Sequence, residues 1–171
     1  LGKKDPKTLY SMSNLAQVLR DQSQYEEAET MHRETLKLRK EVLGKDKPDT
    51  LTSINDVALV LGDQGRFAEA EEMHWKTLAV KKRVFGKKHP ATLTSLSNLA
   101  LSLDGQRRSK GAEWIYRRTL ALRLEVLGKL HPDTLITRNN LAHNLKDQHC
   151  SRAAILQMRR CFQLRKQILS S

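Results

Sequence analysis

The chain has 171 residues and a formal net charge of +12, with 39% hydrophobic and 5% aromatic residues. No apolar run approaches the roughly 18 residues of a membrane span, and no charged-then-apolar leader marks a signal peptide. The two cysteines, Cys150 and Cys161, lie eleven positions apart without a Cys-x-x-Cys pairing. This excludes a disulfide framework and a zinc motif and predicts a reducing, cytoplasmic environment.

The sequence repeats itself four times with a period of 42 residues. Residues 1–42, 43–84, 85–126 and 127–168 align without a gap, and nine columns are identical in all four copies. Such a period predicts stacked units that cannot bury their apolar faces alone, and therefore a single array over residues 1–171. Because Leu1 occupies the column of Leu43 and no methionine precedes it, we expect the chain to be a piece of a longer protein.

Each copy is predicted to form two helices. In the second copy the first helix begins near Pro48, where Asp49 or Thr50 can accept hydrogen bonds from the free amides. It ends near Gly65, and the second helix covers residues 67–84, with apolar residues spaced by three and four. No segment alternates with period two, so the sequence predicts an all-α fold of eight helices.

Small residues mark the helix contacts and the helix ends. Columns of invariant alanine are expected where the two helices of a repeat cross, as at Ala16, and where a second helix meets the next repeat, as at Ala28. Gly86 is expected to supply the left-handed residue that ends a second helix.

The motifs Asn-Leu-Ala-x-x-Leu, Gln-Gly-x-Phe-x-x-Ala-Glu and Thr-Leu resemble the tetratricopeptide repeat (TPR), whose usual period is about 34 residues. The extension Leu-Gly-Lys-x-His-Pro-x-Thr-Leu resembles the longer version found in kinesin light chains, nephrocystin-like proteins and fungal nucleotide-binding receptor-like proteins. HEAT and armadillo units have a similar length but lack this alanine pattern. The resemblance implies a right-handed α-α superhelix, a TPR solenoid of four helix-turn-helix repeats, whose first helices line a concave groove.

First-helix residues that face away from the alanine stripe are the candidates for that groove. An amide both donates and accepts, so the asparagines of one column can hold the backbone of an extended peptide whatever its sequence. Groove asparagines at this motif position in kinesin light chains resemble that use. The alternative is that each asparagine bonds to a neighbouring helix. The candidate residues are Asn14, Arg20, Asn55, Asp56, Asn98, Leu101, Arg138, Asn139, Asn140, His143 and Lys146.

Charge is distributed unevenly among the copies, with net values of +1, 0, +5 and +6 in chain order. The excess arises from a loss of acidic residues in the third and fourth copies. This asymmetry favours an acidic partner near those copies. The alternative is a solvated face that balances an acidic neighbour elsewhere in the parent protein.

The turn between the two helices of a copy degenerates along the chain. Glycine stands there in the second copy only, as Gly65, and the other copies have Ser23, Arg107 and His149. We therefore expect local stability to fall toward the C-terminus. Apolar residues such as Ile155 and Ile168 suggest either a missing neighbouring repeat or self-association through the array ends.

The motifs of enzymes are absent from the sequence: there is no phosphate loop, no His-Glu-x-x-His and no Gly-x-Ser-x-Gly. We predict no enzymatic activity and no cofactor. His32 and His74 are predicted to be core residues. His143, His149 and Cys150 lack a fourth ligand and a recognised spacing, so no metal site is predicted.

Three functions remain. The first is a protein-interaction scaffold that binds an extended, acidic peptide or a partner helix, within a larger adaptor or fungal receptor-like protein. The family resemblance favours the fungal type. The second is polyanion or nucleic-acid binding through the basic C-terminal half, which is disfavoured because no aromatic platform interleaves with the basic residues. The third is a passive spacer or self-association array.

Overall fold

The structure is a computed structural model that describes residues 2–169. Those residues form eight α-helices and no β-strand, which confirms the all-α prediction. The helices are α1 Pro6–Asp21, α2 Tyr25–Leu43, α3 Pro48–Asp63, α4 Phe67–Phe85, α5 Pro90–Gly105, α6 Ser109–Val126, α7 Pro132–Asp147 and α8 Ser151–Leu169. Each copy of the repeat therefore supplies one helix pair.

The first helix of every repeat begins at its proline, but the cap differs from the sequence-based expectation. The residue before the proline is the N-cap, and its side chain accepts from the backbone N–H two positions later in three of the four repeats. The acceptor atoms are the Asp5 carboxylate at 2.8 Å, His89 Nδ1 at 3.2 Å and His131 Nδ1 at 3.1 Å. Capping by Asp49 or Thr50 is therefore wrong, because the chain is already helical there.

The threonine after the proline instead closes the loop between repeats. The Thr50 hydroxyl is buried and donates to the Gly44 carbonyl at 2.8 Å, and Thr92 donates to Gly86 at 2.9 Å. Gly44, Gly86 and Gly128 have φ angles of 100°, 88° and 83°. The positive φ of Gly86 directly after α4 is as predicted, and Gly44 and Gly128 lie just after α2 and α6 with the same sign of φ, which glycine adopts without strain.

The turn inside each repeat is also left-handed in all four copies, although only one copy has glycine. Ser23, Gly65, Arg107 and His149 have φ angles of 62°, 77°, 63° and 60°. Ser23, Arg107 and His149 therefore adopt a conformation that is sterically unfavourable for residues other than glycine.

The chain divides between Val84 and Phe85, one residue before the end of α4, into two compact units; the first contains α1–α3 and nearly all of α4, and the second contains α5–α8. A core cluster of the first unit contains Leu36, Val57, Ala58, Leu61 and Ala70, and one of the second contains Leu135, Cys161 and Leu164. All eight alanines of the two invariant columns are at most 2% exposed. His32 and His74 are each 1% exposed, which confirms their assignment to the core.

Among residues 2–169, no helix combines the length and the apolar character that crossing a bilayer requires.

Candidate functional site

In the first unit the candidate residues lie on α1 and α3, which an ion pair connects. The Arg20 guanidinium donates to the Asp63 carboxylate, so the cation expected to face a ligand is already paired. Asn14 on α1 is exposed, and Asn55 and Asp56 on α3 are half-buried. Asn14, Asn55 and Asp56 are therefore at least partly accessible to solvent in this unit, while the charge of Arg20 is neutralised by Asp63.

Asp56 is the one acidic member of the asparagine column, and its surroundings are basic. Burial raises its pKa, and this effect outweighs the opposing influence of the cations Arg39, Arg20 and Lys81 and of a hydrogen bond with Asn55. An ionised carboxylate only accepts hydrogen bonds, whereas the asparagine amide at this position in the other repeats has both a donor and an acceptor.

In the second unit a hydrogen-bond network connects the end of α7 with both α5 and α6. Asn144 is fully buried, and its amide donates to the Asp104 carboxylate at 2.7 Å and to the Ser109 carbonyl at 3.0 Å. Gln148 donates to Glu113 at 2.8 Å. The bond from Asn144 to Asp104 connects the two first helices of this unit directly, and the bonds to Ser109 and Glu113 attach the end of α7 to α6.

The face of the second unit that carries most of the candidates is polar and accessible. Leu101, His143 and Lys146 are exposed, and Asn98, Asn139 and Asn140 are half-buried. The side chains of Asn139 and Asn140 form no hydrogen bond with any residue from 2 to 169, whereas Asn98 has a partner. We call Asn98, Leu101, Asn139, Asn140, His143 and Lys146 the first-helix amide surface.

Arg138 differs from the other candidates because it is only 3% exposed. It stands in a column whose other members, Met12, Ile54 and Leu96, are apolar. Its guanidinium donates to Gln157 of α8 at 2.8 Å and lines a cavity on the α6 and α8 side of α7. The structure therefore separates Arg138 from the first-helix amide surface.

An ion pair between two columns of the repeat was not predicted from the sequence. In the first three repeats, the loop before the first helix forms an ion pair with the end of the second helix of the same repeat. The pairs are Lys4–Glu41 at 3.2 Å, Asp46–Arg83 at 2.6 Å and Lys88–Glu125. The charges are reversed in the second repeat, and this compensating change between columns 37 residues apart is the signal that could have revealed the contact.

Comparison with known proteins agrees with this architecture. The family model described as tetratricopeptide repeat matches residues 7–83 and 54–125. No curated protein matches the sequence.

The solved structures that match the whole chain in fold include these two. One is the Q17M form of a Podosopora anserina protein described as kinesin light chain nearly identical TPR-like repeats, with 20% identity over 81% of that chain and a TM-score of 0.79. The other is BtubC (BKLC) from P. vanneervenii, with 20% identity over 68% of that chain and a TM-score of 0.81. At this level of identity, both matches concern the fold alone.

Proposed function

Because the chain belongs to the tetratricopeptide repeat family, we propose that it is a protein-interaction scaffold that binds an extended, acidic segment of a partner protein. Members of the family generally bind protein partners and are typically not enzymes. The proposed binding face is the first-helix amide surface of the second unit. In the first unit the corresponding candidates are Asn14, Asn55 and Asp56.

The observation that carries this proposal is the pair of amides on α7. Asn139 and Asn140 are accessible, and they have no hydrogen-bond partner among the described residues. An amide can accept from the N–H and donate to the C=O of a bound backbone, so neighbouring amides bind an extended peptide without reading its side chains.

The charge around these amides favours an acidic ligand. Residues 85–168 contain 16 basic and 5 acidic residues. Lys146 is exposed and forms no ion pair with a described residue, so it can contact a carboxylate of the ligand. Leu101 adds an apolar contact beside them, since 42% of its surface is exposed.

We further propose that the array is part of a larger adaptor or fungal receptor-like protein and acts in the cytoplasm. The sequence resemblance supports the first part. The two free thiols, Cys150 exposed and Cys161 buried, suit a reducing compartment.

A peptide selection tests this function. Peptides are selected on the wild-type chain from a random displayed library, and the affinities of the selected peptides are then measured by fluorescence anisotropy. Asn139→Leu/Asn140→Leu is expected to weaken binding at least about tenfold, which is the loss of one to two good hydrogen bonds. Lys37→Leu, on the exposed face of α2, introduces the same leucine elsewhere and is the control.

Circular dichroism establishes that each variant is folded. Equal affinity of the amide variant and the control contradicts the proposal. Binding that disappears equally in all variants at high salt identifies a general polyanion surface instead.

A further inference from the structure

The fourth repeat lacks the ion pair that the other three repeats form between their loop and their second helix. Its two positions are Leu130 and Gln167, which correspond to Lys88 and Glu125 of the third repeat. Between Asp147 and the end of the chain there is no acidic residue. Consequently α8 carries five basic residues and no carboxylate that could neutralise them.

A cavity of about 540 Å³ lies beside Gln167, the second of these two positions, and is also lined by Lys129, the neighbour of Leu130. Its wall contains four cationic side chains from two helices and one loop, together with the side chains of two leucines and two glutamines. The cations are Lys129, Arg138, Arg160 and Lys166, and the leucines are Leu124 and Leu164. No cation of this wall forms an ion pair with a carboxylate of the described residues.

Arg138 places in this cavity a positive charge that no carboxylate of the described residues neutralises. Its side chain is 3% exposed, one nitrogen donates to Gln157, and its Nε is buried without a hydrogen-bond partner. Burial, and then the neighbouring Arg160, lower the pKa of this guanidinium. A buried cation without a counter-charge is destabilising, so an anion in this cavity would stabilise the protein.

We propose that this α7–α8 cavity binds a side-chain carboxylate of an acidic protein segment, where the first and third repeats place a glutamate of their own. The guanidinium planes of Arg138 and Arg160 suit the two oxygens of a carboxylate, and the lysines add charge at the rim. Leu124 and Leu164 contact the methylene groups of a glutamate side chain. The cavity is separate from the first-helix amide surface, and its function does not depend on that surface.

A labelled hexaglutamate peptide, titrated against the full chain by fluorescence anisotropy, tests this site. Lys129→Gln/Arg160→Gln removes two cations of the cavity and is expected to weaken binding at least about tenfold. The control is Lys87→Gln/Arg118→Gln, which removes the same charges from the same columns of the third repeat and should change affinity less than about twofold. An equal loss in both variants would mean general charge attraction and would overturn the proposal.

A second variant tests the site without any change in net charge. Leu130→Lys/Gln167→Glu installs the ion pair of the third repeat, so its own glutamate competes for the cavity. We expect the affinity for hexaglutamate to fall about tenfold. Unchanged affinity contradicts the assignment, because nonspecific attraction depends on net charge alone.

Thermal unfolding of Arg138→Leu supplies a readout that does not need an intact ligand site. This leucine copies Leu96 of the third repeat, so the variant is expected to unfold at a higher temperature than wild type when no peptide is present. Hexaglutamate should then raise the unfolding temperature of wild type but not of the variant. Inorganic phosphate serves as competitor, and displacement of the peptide by phosphate at an equal concentration would overturn the choice of a carboxylate.

Discussion

The guanidinium of Arg39 on α2 donates to the hydroxyl of Ser53 on α3 at a distance of 2.7 Å, and both side chains are buried. It also donates to the Asp49 carbonyl at 3.2 Å. In the second unit Arg123 makes the same two bonds, to Thr137 at 2.5 Å and to the Asp133 carbonyl at 2.8 Å. One buried arginine thus ties the second helix of a repeat to the first helix of the next repeat.

Arg123→Met is therefore expected to destabilise the protein by about 2–3 kcal/mol, since it removes charge-assisted hydrogen bonds inside the second unit. The free energy of unfolding in urea measures the effect. Arg165 is the matched control, because it occupies the same column of the fourth repeat but is exposed. Arg165→Met should change the free energy of unfolding by less than about 0.5 kcal/mol. Similar effects of the two substitutions would show that the hydrogen bonds of Arg123 do not stabilise the contact between α6 and α7.

The left-handed turns offer a stabilising substitution. Arg107 and His149 have positive φ angles that glycine adopts without steric cost. We expect Arg107→Gly and His149→Gly each to stabilise the protein by about 0.5–1 kcal/mol, because relief of strain exceeds the entropy that glycine adds to the unfolded chain. Gly65→Ala should destabilise by a similar amount. Thermal unfolding tests all three, and destabilisation by both glycine substitutions would contradict the strain argument.

Local features of this chain could be predicted from sequence, and long-range polar contacts could not. Proline, the invariant alanines and the loop glycines act within one turn or one helix crossing, so helix number and ends followed from them. Arg138 was placed among the candidates for the open face, although its own column is apolar in every other repeat. The loop-to-helix ion pairs depend on geometry between residues 37 positions apart, which hydrophobic periodicity does not describe.

The buried histidines predict acid sensitivity. Burial first, and then Arg20 and Arg39, lower the pKa of His32 from 6.5 to about 4. Burial and Lys81 lower that of His74 to about 4 as well. Between pH 6.5 and 4 the unfolded chain binds protons at these sites and the folded chain does not, so stability falls as the pH decreases through this window. Each histidine accounts for a loss on the order of 3 kcal/mol at its lower end.

Substitutions taken from other repeats test this pH dependence. His74→Met copies Met158 and His32→Tyr copies Tyr116, and each should flatten the decline in the free energy of unfolding between pH 6.5 and 4. His143→Gln removes an exposed histidine and is the control. A decline that is as steep in His74→Met as in the control would exclude the buried histidine as its cause.

Asp56 predicts the opposite dependence on pH. Because burial raises its pKa in the folded state, the folded chain binds a proton more readily than the unfolded chain. The stabilisation that arises from this difference in proton binding is therefore complete below the pKa of the unfolded chain, and it is lost as the pH rises through the raised pKa of the folded chain. Asp56→Asn restores the residue of the other three repeats and should stabilise the protein at pH 7 by up to about 1 kcal/mol. The gain should vanish below the ordinary aspartate pKa of 3.8, where the carboxyl is protonated in both states.

The free energy of unfolding of wild type and Asp56→Asn, compared across pH 3 to 7, isolates this effect from that of the histidines, which both proteins share. Asp63→Asn is the informative contrast, because Asp63 is ion-paired with Arg20 and its substitution should destabilise rather than stabilise. A difference between wild type and Asp56→Asn that stays constant with pH would mean that packing, and not the carboxyl proton, causes it. Stabilisation by both substitutions would instead indicate that acidic residues on α3 are unfavourable as a group.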